Sequence, residues 1–392
     1  MTKTLEDKQE FSLVLGGPLF QLWRRTYMSG DSLELARRRV IVIALTAWLP
    51  LVVLSFIQGH ALGGIKIPFL YDIETHVRFL VALPILVGAE LIVHSRLRPA
   101  VNRFVEGRIV VAEDLPRFNG AIASASRVRN SVFVEVALLV LVYPLGLWVW
   151  STQIATEIPS WYSLSGGSHQ LTLAGYWFVF ISIPIFQFIL LRWYLRFFIW
   201  FWLLWRISKL NLRLNATHPD RAAGLGFLAS ASYAFAPILF AQGAQLAGLI
   251  ASRVLYDGQK LLSFKMEAAG LIVFFMLFIL SPLLVFSPHL NRAKRKGLRE
   301  FGGLASHYVQ DFDEKWIYGR APREEELLGT SDIQSLADLG NSFDVVADTR
   351  LVPFGLKDVM RLAAATAAPL VPLGLTIFSL EELVTRLIKI LL

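Results

Sequence analysis

Arg37-Arg38-Arg39-Val40-Ile41-Val42-Ile43-Ala44-Leu45-Thr46-Ala47-Trp48-Leu49-Pro50-Leu51-Val52-Val53-Leu54-Ser55-Phe56-Ile57 decides the fold. Three cations precede an apolar run in which no side chain is charged. A helix needs about 20 mainly apolar residues to cross the hydrocarbon of a bilayer, and a span over 39–59 meets that need. Similar runs recur, so further spans are expected near 77–95, 131–151, 174–196, 230–253, 266–287 and 360–380. Thr366, Pro369 and Pro372 weaken the last, which reads as a seventh span or a re-entrant segment.

Composition agrees. Hydrophobic residues make up 55% of the chain and charged residues 17%, where soluble domains carry about 25% charged. There is no cysteine, which excludes disulfides, thiolate zinc sites and cysteine nucleophiles. The net charge of +8 is explained by topology rather than nucleic acid, because the cations flank the apolar runs. With the N-terminus inside, the inner segments 1–39, 96–130, 206–229 and 288–361 hold 29 Lys and Arg. The outer segments 60–78, 152–173, 253–265 and 381–392 hold 7. Cytoplasmic loops carry the excess of Lys and Arg, so this alternation puts the N-terminus in the cytoplasm.

The fold class that follows is all-α: a polytopic transmembrane helix bundle of six or seven spans with a small helical cytoplasmic cap. Residues 1–38 form a cytoplasmic N-terminal segment, whose run at 11–22 is broken by Gly16, Gly17 and Pro18 and reads as interfacial. Residues 39–287 hold six spans, 288–357 the cap, and 358–392 the seventh span or re-entrant segment plus an amphipathic tail. In the cap, Phe301, Leu304, Tyr308, Phe312 and Trp316 form one stripe and Ile333, Leu336, Leu339, Phe343 and Val346 another, with Ser331 as N-cap. The run 174–205 ends in Trp193, Phe197, Trp200, Trp202 and Trp205 mixed with Arg192 and Arg196. Such a mixture suits the headgroup level, as an aromatic belt or a groove for an anionic lipid or hopanoid, with the helix bending along the interface.

Ionisable and amide side chains inside spans are the functional candidates, because burying them there is costly. Glu90 and His94 share one face of the second span, Glu135 lies in the third, and Arg192 and Arg196 lie in the fourth. These five make a candidate inner-leaflet cluster. Gln187, Gln242 and Gln245 lie deeper, each near a span proline. The bland alternative is a structural ion-pair network with interhelical amide bonds. Every expected span carries a proline (Pro50, Pro84, Pro144, Pro184, Pro237, Pro282, Pro369), which points weakly to bent helices around a cavity. Asp72, Glu74 and His76, with His60, have the residue types of metal ligands but fit a solvated loop, and no metal site or cofactor is called for. Metallohydrolase, nucleophile-elbow, Walker and dinucleotide motifs are absent.

Between spans lies His218-Pro219-Asp220-Arg221-Ala222-Ala223-Gly224-Leu225-Gly226-Phe227-Leu228. Its physical reading is a turn in which Pro219 ends one helix, Asp220 caps the next, and Gly224 and Gly226 allow close packing or positive φ. With Phe286-Ser287-Pro288-His289-Leu290 and Ser331-Asp332-Ile333-Gln334-Ser335-Leu336-Ala337-Asp338-Leu339-Gly340-Asn341-Ser342-Phe343, it resembles a family of uncharacterised bacterial integral membrane proteins. The family usually reads Ala-Gly-Gly-Leu-Gly where this chain has Ala222-Ala223-Gly224-Leu225-Gly226. The resemblance covers most of the chain and implies a bacterial inner membrane and no particular activity.

The leading functional expectation is a channel or transporter moving an ion or small solute along a polar path between spans two to five. The alternatives are a membrane scaffold or signalling protein recruiting partners through its cap, and a lipid-modifying membrane enzyme. The expected partners are the bilayer and further copies of the chain, with no nucleic acid.

Overall fold

The computed structural model describes residues 11–18, 36–149, 160–163, 171–320, 327 and 330–376. Among these the protein is all-α, and its helices are numbered in chain order: α1 Ala36–Ile57, α2 Ile73–Glu106, α3 Leu115–Arg129, α4 Val132–Val149, α5 Leu173–Ile207, α6 Phe227–Tyr256, α7 Leu261–Ile317, α8 Ser331–Ala347 and α9 Leu356–Ala367. Five of them (α1, α2, α5, α6 and α7) are long and apolar enough to cross a membrane. The third expected span is α4, with 18 residues. The seventh becomes the 12-residue α9 followed by a tighter helical stretch, Ala368–Thr376, which holds Pro369 and Pro372. The amphipathic tail lies outside the described residues.

The exposure pattern is that of a multi-pass membrane protein. Ile57, Phe133, Val140 and Leu277 are 71%, 81%, 67% and 67% exposed. Leaving such side chains in water forfeits roughly 1.5–3 kcal/mol each, and a bilayer removes that cost. The helices alternate in direction. At one end, Arg213 N donates to Ile109 O, Asn211 N to Asp114, and His289 meets Ser208 O, so the three basic segments 96–130, 206–229 and 288–361 converge there. At the other end, Trp161 Nε1 donates to Asp72 and Ala174 N to Gln58.

The span prolines sit at seams more than at kinks. Proline cannot donate to the preceding turn, so the helix before it must loosen or tighten. A widened turn at Val77–Ala82 precedes Pro84, and another at Phe178–Ser182 precedes Pro184. Tighter turns lie at Tyr233–Phe235 before Pro237 and at Ser281–Phe286 around Pro282. Pro50 and Pro144 lie within regular helix.

Four expectations are corrected. The aromatic half of α5 does not bend along an interface: Ile183–Ile207 is regular helix. Its Trp193, Phe197 and Trp200 are buried, because α2, α3 and residues 11–18 cover the tryptophans and Phe235 of α6 and Phe278 of α7 cover Phe197, so they are core rather than belt. Residues 11–18 are tucked inward, with Phe11, Leu13 and Val14 each 1% exposed. The basic segment 96–130 is no loop: α2 runs to Glu106, and α3 packs along α5 through Phe118, Ala121, Ile122 and Ala125.

Beyond the bundle, α7 continues as Ser287–Phe312 and pairs with α8 in an antiparallel hairpin. Its 26 residues extend about 39 Å at 1.5 Å each. Asp332 secures the tip, accepting from Lys315 Nζ and Trp316 Nε1 at 2.9 Å each. The N-cap position of α8 is Thr330, one residue before the expected Ser331. Val346 is buried at the base, but Leu304 and Ile333 turn outward, 55% and 43% exposed.

Candidate functional site

Helices α1 and α5 converge on Glu90 of α2, and α4 joins through Arg192. Arg39 of α1 reaches its Oε2 at 2.5 Å, and Arg196 of α5 reaches its Oε1 at 2.7 Å. Arg192, one turn earlier, stands 3.9 Å from Glu90 and 3.4 Å from Glu135 of α4. All five side chains are at least nine-tenths buried. A carboxylate in such a site needs a cation within contact distance to offset its lost hydration. The helical repeat supplies this, because Arg192 and Arg196 are four residues apart on the face of α5 turned toward α2 and α4. Trp193 lies between them, donates to Leu86 O at 2.8 Å and carries the Arg196 guanidinium 4.7 Å above its ring.

The expected cluster therefore assembles, with one loss and one gain. His94 turns to Ser12 Oγ at 2.9 Å instead of joining the arginines. Helical spacing puts Glu90 and His94 on one face but does not choose their partners. Arg39 is the gain. As the third of three arginines at a span boundary it reads as a topogenic charge. Its signal is its place beside the buried stripe Ala44, Ala47, Leu51 and Ser55.

The deeper amides sit apart from the network. Gln187 lies beside Gly146 of α4, where an added Cβ would come 2.9 Å from its Oε1. Gln242 and Gln245 lie on α6, which packs on α2 and α9. Close packing there depends on small residues: a Cβ at Gly243 would stand 2.0 Å from Thr366 O. Gln187 Oε1 and Gln242 Nε2 are buried with no hydrogen-bond partner among the described residues.

At the opposite end three of the four residues of metal-ligand type are engaged, while His60 Nδ1 is buried with no hydrogen-bond partner among the described residues. Asp72 caps a helical turn and accepts from Thr75 and Trp161, Glu74 pairs with Arg78, and His76 accepts from Trp48 Nε1.

The 218–226 motif builds the second region. Asp220 folds back into its own loop and accepts from Ala222 N, Gly224 N and Gly226 N at 2.8, 3.1 and 2.8 Å. Burial alone would raise its carboxyl, but the N–H donors of Ala222, Gly226 and Gly224, with His218, hold it below the ordinary range. To wrap the carboxylate the chain turns left-handed at Arg221, Ala223 and Gly224, with φ of 53°, 53° and 93°. Only glycine takes such values freely, yet Arg221 and Ala223 hold them with side chains. Gly226 serves differently: its φ is −60°, and a Cβ there would meet Asp220 Oδ2 at 2.9 Å. Pro219 ends no helix, since α5 stops at Ile207.

This loop carries the hairpin. Lys294 Nζ donates to Thr349 O at 3.0 Å, Thr349 Oγ1 to Ala216 O at 3.2 Å, and Arg350 Nη2 to Asp220 O at 2.8 Å. Arg221 pairs with Asp348 at 3.2 Å. Gly297 lets the helices close, since its Cβ would come 2.7 Å from Ala216 and 2.8 Å from Val346. Beside the joint opens a cavity of about 870 Å³ lined by Arg103, His218, Asp220, Arg350, Lys357, Asp358 and Arg361 among others.

These features define a class, a multi-pass α-helical integral membrane protein with a charged staple across its spans. Comparison with known proteins finds no matching family model, no matching curated protein and no matching solved structure.

Proposed function

We propose that the protein is a membrane scaffold that presents a helical hairpin to a protein partner. The observation that carries this reading is the joint between hairpin and bundle, where Lys294, Thr349, Arg350 and Arg221 tie the hairpin base to the 215–226 loop. A projecting arm fixed at its root presents its outer face in one orientation, so little ordering entropy is lost on docking. The arm presents Leu304, Val309, Ile317, Tyr318 and Ile333, each 42–72% exposed. The ion pairs around Glu90 suit a scaffold, holding α1, α2, α4 and α5 as one body. We infer further that the basic end faces the cytoplasm, on the strength of the 29-to-7 distribution of Lys and Arg; that the membrane is a bacterial inner membrane rests on the family resemblance alone.

The test is complex size after gentle solubilisation from native membranes. Wild-type protein should run in an assembly larger than the same chain purified in harsh detergent. Leu304→Glu with Ile333→Glu should dissolve that assembly while leaving Tm unchanged. An unchanged assembly in that variant would overturn the reading.

A second reading, movement of an ion or small solute between spans two to five, is favoured by the unmet amide atoms of Gln187 and Gln242. A permeating ion or water would satisfy them. Under this reading Gln242→Leu replaces a polar lining by a constriction that dewets, and flux in proteoliposomes falls steeply at unchanged Tm. Wild-type flux that survives the change would remove Gln242 from any path.

A further inference from the structure

The cavity at the hairpin root is lined by cations that form no ion pair with a carboxylate among the described residues. Its own two carboxylates are occupied. Asp220 holds the three N–H groups of its loop, and Asp358 accepts from Gly355 N and Tyr233 Oη. Arg350 is spent on the carbonyls of Asp220 and Arg221. Three cations remain around the space: Arg103, Lys357 and Arg361. Arg103 lies 5.9 Å over the Phe227 ring and Arg361 5.6 Å over the Tyr233 ring, with Arg361 also donating to Tyr233 Oη at 3.4 Å, so neither is in direct contact with a carboxylate among the described residues.

We propose that this cavity binds the phosphate headgroup of an anionic glycerophospholipid. Guanidinium and ammonium groups make short, charge-assisted bonds to phosphate oxygens, and arginine does so two at a time. The site has room for a hydrated phosphodiester, at about 870 Å³. The argument for a lipid rather than a free phosphate comes from α9. Leu356 and Met360 are 75% and 60% exposed and lie one turn apart on one face. Each is followed at once by a cavity cation, Lys357 after Leu356 and Arg361 after Met360. Leu356 lines the cavity mouth and Met360 continues the apolar face beyond it, so cations and apolar surface adjoin as an amphiphile requires, with acyl chains along α9 and the headgroup inside. Basic groups at a membrane surface also attract anionic lipid electrostatically. Because Arg350 and Asp220 belong both to the hairpin joint and to the cavity wall, a bound lipid sits against the root of the projecting arm.

The test uses the full chain in detergent and native mass spectrometry, with phosphatidylglycerol, phosphatidylcholine or inorganic phosphate added. Wild type should retain phosphatidylglycerol about tenfold better than phosphatidylcholine, the effect of one charged hydrogen bond or more. Lys357→Gln with Arg361→Gln should bring the two lipids to parity at unchanged Tm. Arg299→Gln, which removes one positive charge from the hairpin away from the cavity, as Lys357→Gln does at the cavity, should keep the preference. Lys357→Gln alone, at an exposed position, guards against misfolding and should lower the preference a few-fold. Equal retention of the two lipids by wild type would overturn the proposal, as would a preference that survives in the double variant or vanishes in Arg299→Gln. Displacement of phosphatidylglycerol by an equal concentration of inorganic phosphate would reassign the site to a soluble phosphate and overturn the lipid.

Discussion

Glu90 Oε1 and Arg196 Nη2 stand 2.7 Å apart between α2 and α5, with both side chains 5% exposed or less. Arg39 and Arg192 approach the same carboxylate, so its removal leaves three guanidiniums facing one another. Breaking a buried pair costs roughly 3–5 kcal/mol. Glu90→Gln should therefore lower Tm in detergent strongly. Adding Arg196→Gln should recover part of the loss, because the pair then leaves as a neutral unit. A double-mutant cycle with no coupling between the two positions would show that they do not pair.

Acid should loosen the hairpin at both its joint and its tip. The Asp220 carboxyl is held below its ordinary range by its loop N–H donors, and the Asp332 carboxyl by Lys315 and Trp316. A depressed folded value means that the stabilisation is complete above the unfolded carboxyl's value, about 3.9. It is lost as pH falls through the lower folded values. Wild-type Tm should be flat from pH 7 to about 5 and fall below pH 4. Asp220→Asn should start lower and fall less steeply. Equal acid slopes would show that the Asp220 charge adds nothing to stability.

Gly297 should tolerate no larger side chain. Its Cβ would press on Ala216 and Val346, both held by the joint. Overpacking of this kind costs about 1–3 kcal/mol. Gly297→Val should raise amide hydrogen exchange throughout α8 while exchange in α5 stays at the wild-type level. Unchanged exchange in α8 would mean that the hairpin is not held at this contact.

The sequence made the spans and the buried charges legible for one reason, the cost of charge in hydrocarbon. Glu90, Glu135, Arg192 and Arg196 stand out because they interrupt apolar runs. Arg39 does not, since Arg37 and Arg38 beside it make it look like part of a flank. His94 shows the limit of periodicity, which fixes a face and not the partner waiting there, here Ser12. The α3 helix was hidden because a polar, arginine-rich segment suits a loop equally well, and only its Phe118–Ala121–Ile122–Ala125 stripe distinguishes it. Trp193 and Trp200 look like an interfacial belt until α2, α3 and residues 11–18 are known to cover them. The cavity at the hairpin root was out of reach, because it joins Arg103, Asp220 and Arg361 across more than 250 residues.

Orientation has its own check. The distribution of Lys and Arg predicts that a reporter fused after residue 165 is periplasmic and one fused after residue 320 is cytoplasmic. Both reporters on one side would overturn the alternation of spans between those points.

The scaffold account is tested most directly in living cells, with a photo-cross-linking residue at position 333 on the outer face of α8. Ile333 is 43% exposed on a hairpin fixed to the bundle. The account predicts one discrete protein adduct at position 333, abolished by Leu304→Glu and absent when the cross-linker stands at lipid-facing Phe133. No adduct at position 333, or one indifferent to Leu304→Glu, would contradict it.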